Sequence, residues 1–155
     1  MKVIFLDFDG VLNKFTDPES LLYLSKECVE NLNSLVERSG SKIVITSQWR
    51  TLYPMVDLRQ ILINAGLKYP RCIIGATPDL LGEPRVTSRG EEIDKWLKKT
   101  EKDIDSFVII DDEDDMKPFM DRLVQTNYDN GLTKDDIERA VSIISRTNQR
   151  KAKGD

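Results

Sequence analysis

Apolar residues follow two rhythms along the chain. Val3 to Asp7, Lys42 to Thr46, Cys72 to Ile74 and Phe107 to Ile110 are short apolar runs, several of them rich in β-branched side chains. Runs of this length and composition predict buried strands of a parallel sheet. Leu123 to Thr126 offers a fifth strand. Between them the spacing changes. Leu21, Leu24, Cys28, Leu32, Leu35 and Val36 recur at helical intervals over Pro18 to Arg38, and Gly40 stands where a helix stops. Leu52 to Ala65 predicts a second helix ended by Gly66. Gly90 to Thr100 predicts a third, with Ile93, Trp96 and Leu97 on one face. Thr133 caps a last helix running to about Ser145, with Asp135 and Asp136 in its first turn. Residues 75–88 carry the Gly and Pro of a loop. Alternating strands and helices predict an α/β fold: a three-layer, doubly wound parallel sheet with right-handed crossovers.

Composition narrows the chemistry. The 155 residues suit one domain, read here as residues 1–148, with a polar, solvated tail over 149–155 that includes Arg150, Lys151 and Lys153. No histidine is present. That excludes a Ser-His-Asp triad, a Cys-His dyad, His-ligated metal sites and imidazole proton shuttling. Catalysis must then run on carboxylates, hydroxyls, amines or a hard metal ion. The net charge of −4 speaks against bulk attraction to nucleic acid. Two cysteines, Cys28 and Cys72, are too few for a disulfide scaffold and read as buried thiols. The opening MKVIFLDFDG meets an acid too early for a signal peptide or membrane span, so a cytoplasmic protein with no membrane partner is expected.

The strands of such a sheet deliver their site residues at their carboxyl ends. The first delivers Asp7 and Asp9, the second Thr46 and Ser47, the fourth Asp111 and Asp112, and Arg89 stands at a helix start before the fourth. Each signal alone has an ordinary reading as a turn, a cap, a solvated acidic loop or a surface cation. Together, in this order, they form a phosphoryl-transfer set. The four carboxylates would repel one another unless a cation compensates, and an all-oxygen donor set selects Mg²⁺.

These segments carry a resemblance. FLDFDGVLN resembles the first motif of the haloacid dehalogenase (HAD) superfamily of phosphohydrolases, IVITSQWR its second, and FVIIDDEDDM its fourth, across roughly residues 3–115. LVQTNYDNGLT, with RGEEIDKWL, is similar to the HAD domain of bacterial multidomain RNA-repair proteins. The resemblance implies that Asp7 is the nucleophile and forms an aspartyl-phosphate, and that Asp9 protonates the leaving oxygen and then activates water. Gly10 would permit the tight turn between them. Thr46 would bond a phosphoryl oxygen, with Ser47 adding its N–H or hydroxyl. Asp112 would hold Mg²⁺ together with Asp7 and the backbone carbonyl of Asp9, and Asp111 would be a further ligand or would orient one. The third-motif cation, usually Lys, would be Arg89, with Lys95 the alternative.

Only about thirty residues separate Gly10 from the second strand, and the 75–88 loop is short, so no cap domain is expected. An open site suits a phosphate on something large, such as an RNA or DNA end. Small phosphate esters, a response-regulator-like phosphoacceptor role, and a catalytically dead Mg²⁺-binding module are the competing readings. Asp-x-Asp on the first strand favours the hydrolase over the phosphoacceptor. Trp49 and Arg50 follow the second motif closely enough to touch a substrate, although packing is the plainer role for Trp49. Oligomeric state is not legible.

Overall fold

The computed structural model describes residues 1–80 and 88–147. Part of the 75–88 loop and the 149–155 tail lie outside the described residues. Five parallel strands form one sheet: β1 (Lys2–Leu6), β2 (Lys42–Ile45), β3 (Ile73–Ala76), β4 (Ser106–Asp111) and β5 (Leu123–Gln125), in the order β3-β2-β1-β4-β5. Helices α1 (Ser20–Tyr23) and α2 (Lys26–Ser39) join β1 to β2, and α3 (Trp49–Leu52) and α4 (Met55–Asn64) join β2 to β3. The helix α5 (Arg89–Lys99) precedes β4, and α6 (Lys134–Ile144) follows β5. Residues 7–41 make only α1 and α2, and no cap domain stands among the described residues.

Side-chain alternation divides the sheet into two faces. Ile4, Leu6, Ile43, Ile45, Val108 and Ile110 pack with α2, α4 and α6. Val3, Phe5, Val44, Phe107 and Ile109 pack on the other side, with Ile93, Trp96 and Leu97 of α5. Burying both faces explains why the strands read as continuous apolar runs rather than as alternating ones. The chain leaves β1 toward β2 and β3 on one side, then crosses by α5 to β4 on the other. The direction of winding therefore reverses between β1 and β4, which is where open α/β sheets form their crevice.

Two helices differ from the sequence reading for local reasons. Leu24 has φ 65°, in the left-handed region, so the expected Pro18–Arg38 helix splits and restarts with Ser25 as its cap. Pro54 lacks an N–H and takes an extended conformation, so the helix over Leu52 to Ala65 becomes α3, a break, and α4. Cys72 belongs to a short 3₁₀ turn, and β3 begins one residue later. Both cysteines are free and buried, as expected. Thr133 makes a full capping box with Asp136 at α6.

The first turn of α5 is docked tightly. The Gly90 N–H donates to the Asp115 carbonyl at 3.0 Å, and the Arg89 N–H to the Asp115 carboxylate at 3.2 Å. A Cβ on Gly90 would lie 2.2 Å from the Lys117 carbonyl oxygen. In an open helix Gly→Ala stabilises by up to ~1 kcal/mol. Here the neighbour is backbone and cannot yield cheaply, so Gly90→Ala should reverse that sign and cost ~1–3 kcal/mol by urea denaturation.

Candidate active site

Parallel pairing carries on past the strand ends. Leu6 lies opposite both Ile45 and Ile110. The Asp7 N–H continues the ladder to the Ile110 carbonyl at 3.1 Å, and the Thr46 N–H to the Leu6 carbonyl at 2.9 Å. Asp7, Thr46 and Asp111 therefore stand side by side on three adjacent strands. Continuing the alternation sends all three to the α5 face, where Arg89 opens its helix. Asp7, Asp111 and Asp112 bring carboxylate oxygens within 4.8 Å of one another. The Arg89 guanidinium reaches two of them, at 2.5 Å to Asp111 and 3.2 Å to Asp7. Lys95, the alternative cation, sits nearly two turns further along α5, half-buried.

Three like charges this close are unfavourable in a buried setting. Asp111 has no exposed side-chain surface and Asp7 very little. Burial raises the Asp7 carboxyl well above its ordinary range, and the neighbouring Asp111 adds to this, with Arg89 opposing. Burial likewise pushes Asp111 up to about 6, although Arg89 and the Glu113 N–H, at 2.9 Å, stabilise its charged form. For Arg89 burial disfavours the charge, but Asp111 and Asp7 outweigh it and hold the guanidinium protonated. Part of the compensation assigned to a metal ion thus comes from Arg89.

The remaining residues have distinct surroundings. Thr46 is fully buried and its Oγ1 has no hydrogen-bond partner. An orphaned buried hydroxyl is costly, commonly by ~1–3 kcal/mol, and the Thr77 hydroxyl is orphaned in the same way. Ser47 is buried, and its Oγ accepts the Trp49 N–H at 3.2 Å, at the start of α3. Asp9 is exposed and its carboxylate lies outside the three-carboxylate cluster; it accepts from Asn13 Nδ2 at 2.8 Å and from Trp49 Nε1 at 3.1 Å. Gly10 has φ +77°, and an added Cβ would lie 2.5 Å from Asp112 Oδ2. Glycine is needed there both for the turn and for the place of Asp112.

Arg50 is not available to a substrate. Its side chain is 4 % exposed and pairs with Glu92, 8 % exposed, at 2.9 Å. It also donates to the carbonyls of Thr46, Ser47, Thr77 and Pro78. Arg50 therefore ties the ends of β2 and β3 to α5. Sequence reasoning missed four contributors. Glu92 anchors Arg50, and Asp115 seats α5. Asn13 accepts the Gly10 N–H at 2.7 Å, and Thr126 donates to the Gly10 carbonyl at 2.8 Å. Asn13, three residues after Gly10, had a readable turn-forming spacing. Glu92 and Thr126 act across the fold and carried no local signal.

A Rossmann-like three-layer sheet with Asp-x-Asp after β1, Thr after β2 and an acidic pair beginning at the last residue of β4 defines a HAD-like domain. A family model described as the HAD domain in Swiss Army Knife RNA repair proteins matches residues 3–137, and the chain belongs to that family. The family points to a hydrolase of the phosphatase type. No curated protein and no solved structure gave a significant match. No described helix is long and apolar enough to cross a membrane.

The buried hard-oxygen cluster fits a divalent cation such as Mg²⁺. Asp7 and Asp111 bind protons more tightly in the folded than in the unfolded chain. Their contribution to metal-free stability therefore falls as pH rises from about 4, the unfolded value, through about 6 for Asp111, and the raised Asp7 carboxyl acts in the same direction. A bound cation would relieve this, so the rise in melting temperature on adding Mg²⁺ should be larger at pH 7 than at pH 5. Gly10→Ala should displace Asp112 and weaken Mg²⁺ affinity by ~10–100-fold in calorimetric titration.

Proposed function

We propose that the protein is a Mg²⁺-dependent phosphomonoesterase working through an aspartyl-phosphate on Asp7. The observation that carries this reading is the convergence of Asp7, Asp111 and Asp112 on one cation-sized spot, with Arg89 bridging two of them. The orphaned Thr46 hydroxyl beside Asp7 supports it, as a ready donor to a phosphoryl oxygen. Asp7, Asp112 and Asp111 would hold Mg²⁺, with the Asp9 carbonyl, and the ion would neutralise phosphoryl charge.

An Asp7 carboxylate oxygen attacks phosphorus as the bond to the leaving oxygen breaks. Asp9 gives its proton to that oxygen, releasing an alcohol and leaving the phosphoryl group on Asp7. Asp9, now a carboxylate, takes a proton from water as the water oxygen attacks phosphorus. Inorganic phosphate departs, and both acids return to their starting state. Thr46 and Arg89 hold the phosphoryl oxygens and steady the negative charge. Their contribution is electrostatic and is fixed before the substrate arrives.

The substrate is a phosphate at a polynucleotide end. Two considerations favour this: the exposed setting of Asp9 on the leaving-group side, with no cap among the described residues, and the RNA-repair context named for the family. The domain would work in the cytoplasm beside other end-processing activities. Asp7→Asn should lower turnover by at least ~10³-fold while the protein stays folded by circular dichroism. Activity should vanish with EDTA and return with Mg²⁺. Initial rates on 5′- and 3′-phosphorylated oligonucleotides should exceed those on sugar phosphates and mononucleotides; the opposite order would overturn the polynucleotide assignment.

A further inference from the structure

Asp9 differs from the other acids at the strand ends. It is exposed, outside the three-carboxylate cluster, and held by two neutral donors, one on each oxygen. We propose that Trp49 is a positioning residue that aims Asp9 at the leaving-group oxygen, an inference that rests on the acid–base role given to Asp9 above.

The two donors are not equivalent. Asn13 also accepts the Gly10 N–H at 2.7 Å, so it belongs to the turn whatever Asp9 does. The indole N–H of Trp49 donates to Asp9, and its ring packs against two aromatic neighbours. Phe8 meets it edge-on at 5.3 Å between centroids, and Tyr53 lies at 6.0 Å on a tilted approach. The next residue, Arg50, is bonded to four carbonyls and to Glu92, which fixes the backbone that carries the indole. An exposed carboxylate left to itself samples several rotamers. This one faces a donor that cannot move far.

An indole N–H donates and never accepts. A proton on Asp9 therefore cannot be directed at Trp49, nor at the amide nitrogen of Asn13. It must point to the remaining open side of the carboxyl, where the leaving group departs. Once Asp9 has given up that proton, the same two bonds hold the carboxylate for the water. Trp49 thus gains its effect through Asp9 and touches no reacting atom itself.

The test separates aim from packing. Trp49→Phe keeps a ring against Phe8 and Tyr53 but removes the N–H. A benzothienylalanine at position 49, with the indole shape and no N–H, provides a second variant should the first unfold. The quantity to measure is kcat/KM, which reports formation of the aspartyl-phosphate, on two esters. An alkyl phosphate needs its leaving oxygen protonated; p-nitrophenyl phosphate does not. The alkyl ester should slow by ~10–100-fold, part of the whole general-acid contribution, and the aryl ester by less than about threefold. Equal losses on both esters, or no loss on either, would overturn the proposal. Wild-type protein that turns over neither these esters nor a phosphorylated oligonucleotide would instead defeat the phosphatase reading, and the Trp49 assignment with it.

Discussion

A sheet in which three neighbouring strands end in register forces their next residues into one row. Leu6 pairs with Ile45 and with Ile110, so Asp7, Thr46 and Asp111 follow together. Alternation then sends all three side chains to the face on which α5 lies. Shifting β1 by one residue would turn Asp7 toward the face of Leu6 and α2 and scatter the site. The apolar residues that fix this register, Val3 to Leu6 and Phe107 to Ile110, are fully or almost fully buried. Core packing and site geometry are thus one constraint. No loop has to search for the position of the proposed nucleophile.

That placement has an electrostatic consequence. Carboxylates on adjacent strand ends cannot spread apart, and burial denies them water. The fold answers with Arg89, whose place depends on Gly90 lying flat against the Lys117 carbonyl and on Asp115 receiving the first N–H groups of α5. The guanidinium is an internal counter-ion for Asp7 and Asp111. It leaves a net negative cluster beside Asp112 that suits a divalent cation. The repulsion that weakens the metal-free fold is the same feature that makes the cluster a good ligand set. Stability is given up where binding is wanted.

Much of this was legible in the chain because the informative signals were local. A strand ending in acid, a strand ending in Thr-Ser and a strand ending in an acidic pair are each read within ten residues. The parallel sheet brings those three ends together without further instruction. Gly90 and the apolar face of Ile93, Trp96 and Leu97 likewise located α5, so Arg89 was found at a helix start. What escaped depended on contacts between distant segments. Arg50 looked like a substrate contact because it follows the second motif. Its partners, Glu92 and the carbonyls of Thr77 and Pro78, lie 27 to 42 residues away, and nothing nearby announces them. The break at Pro54 was readable from proline's missing N–H; the one at Leu24 was not, since leucine rarely takes a positive φ.

The four residues from Ser47 to Arg50 show how one short segment serves two ends. Arg50 faces inward and holds β2, β3 and α5 in a fixed relation, while Trp49 faces Asp9 across the mouth of the site. Rigid parts of the site, Asp7, Thr46 and Asp111, are set by the sheet; Asp9 stands in solvent and has no strand to hold it. Its order must come from side chains. The fold supplies that order from α3, a helix too short to be stable alone, which survives because a buried guanidinium fastens it to three other elements. The exposed carboxylate is thereby tied, through an indole and its neighbour, to a buried ion pair that links β2, β3 and α5.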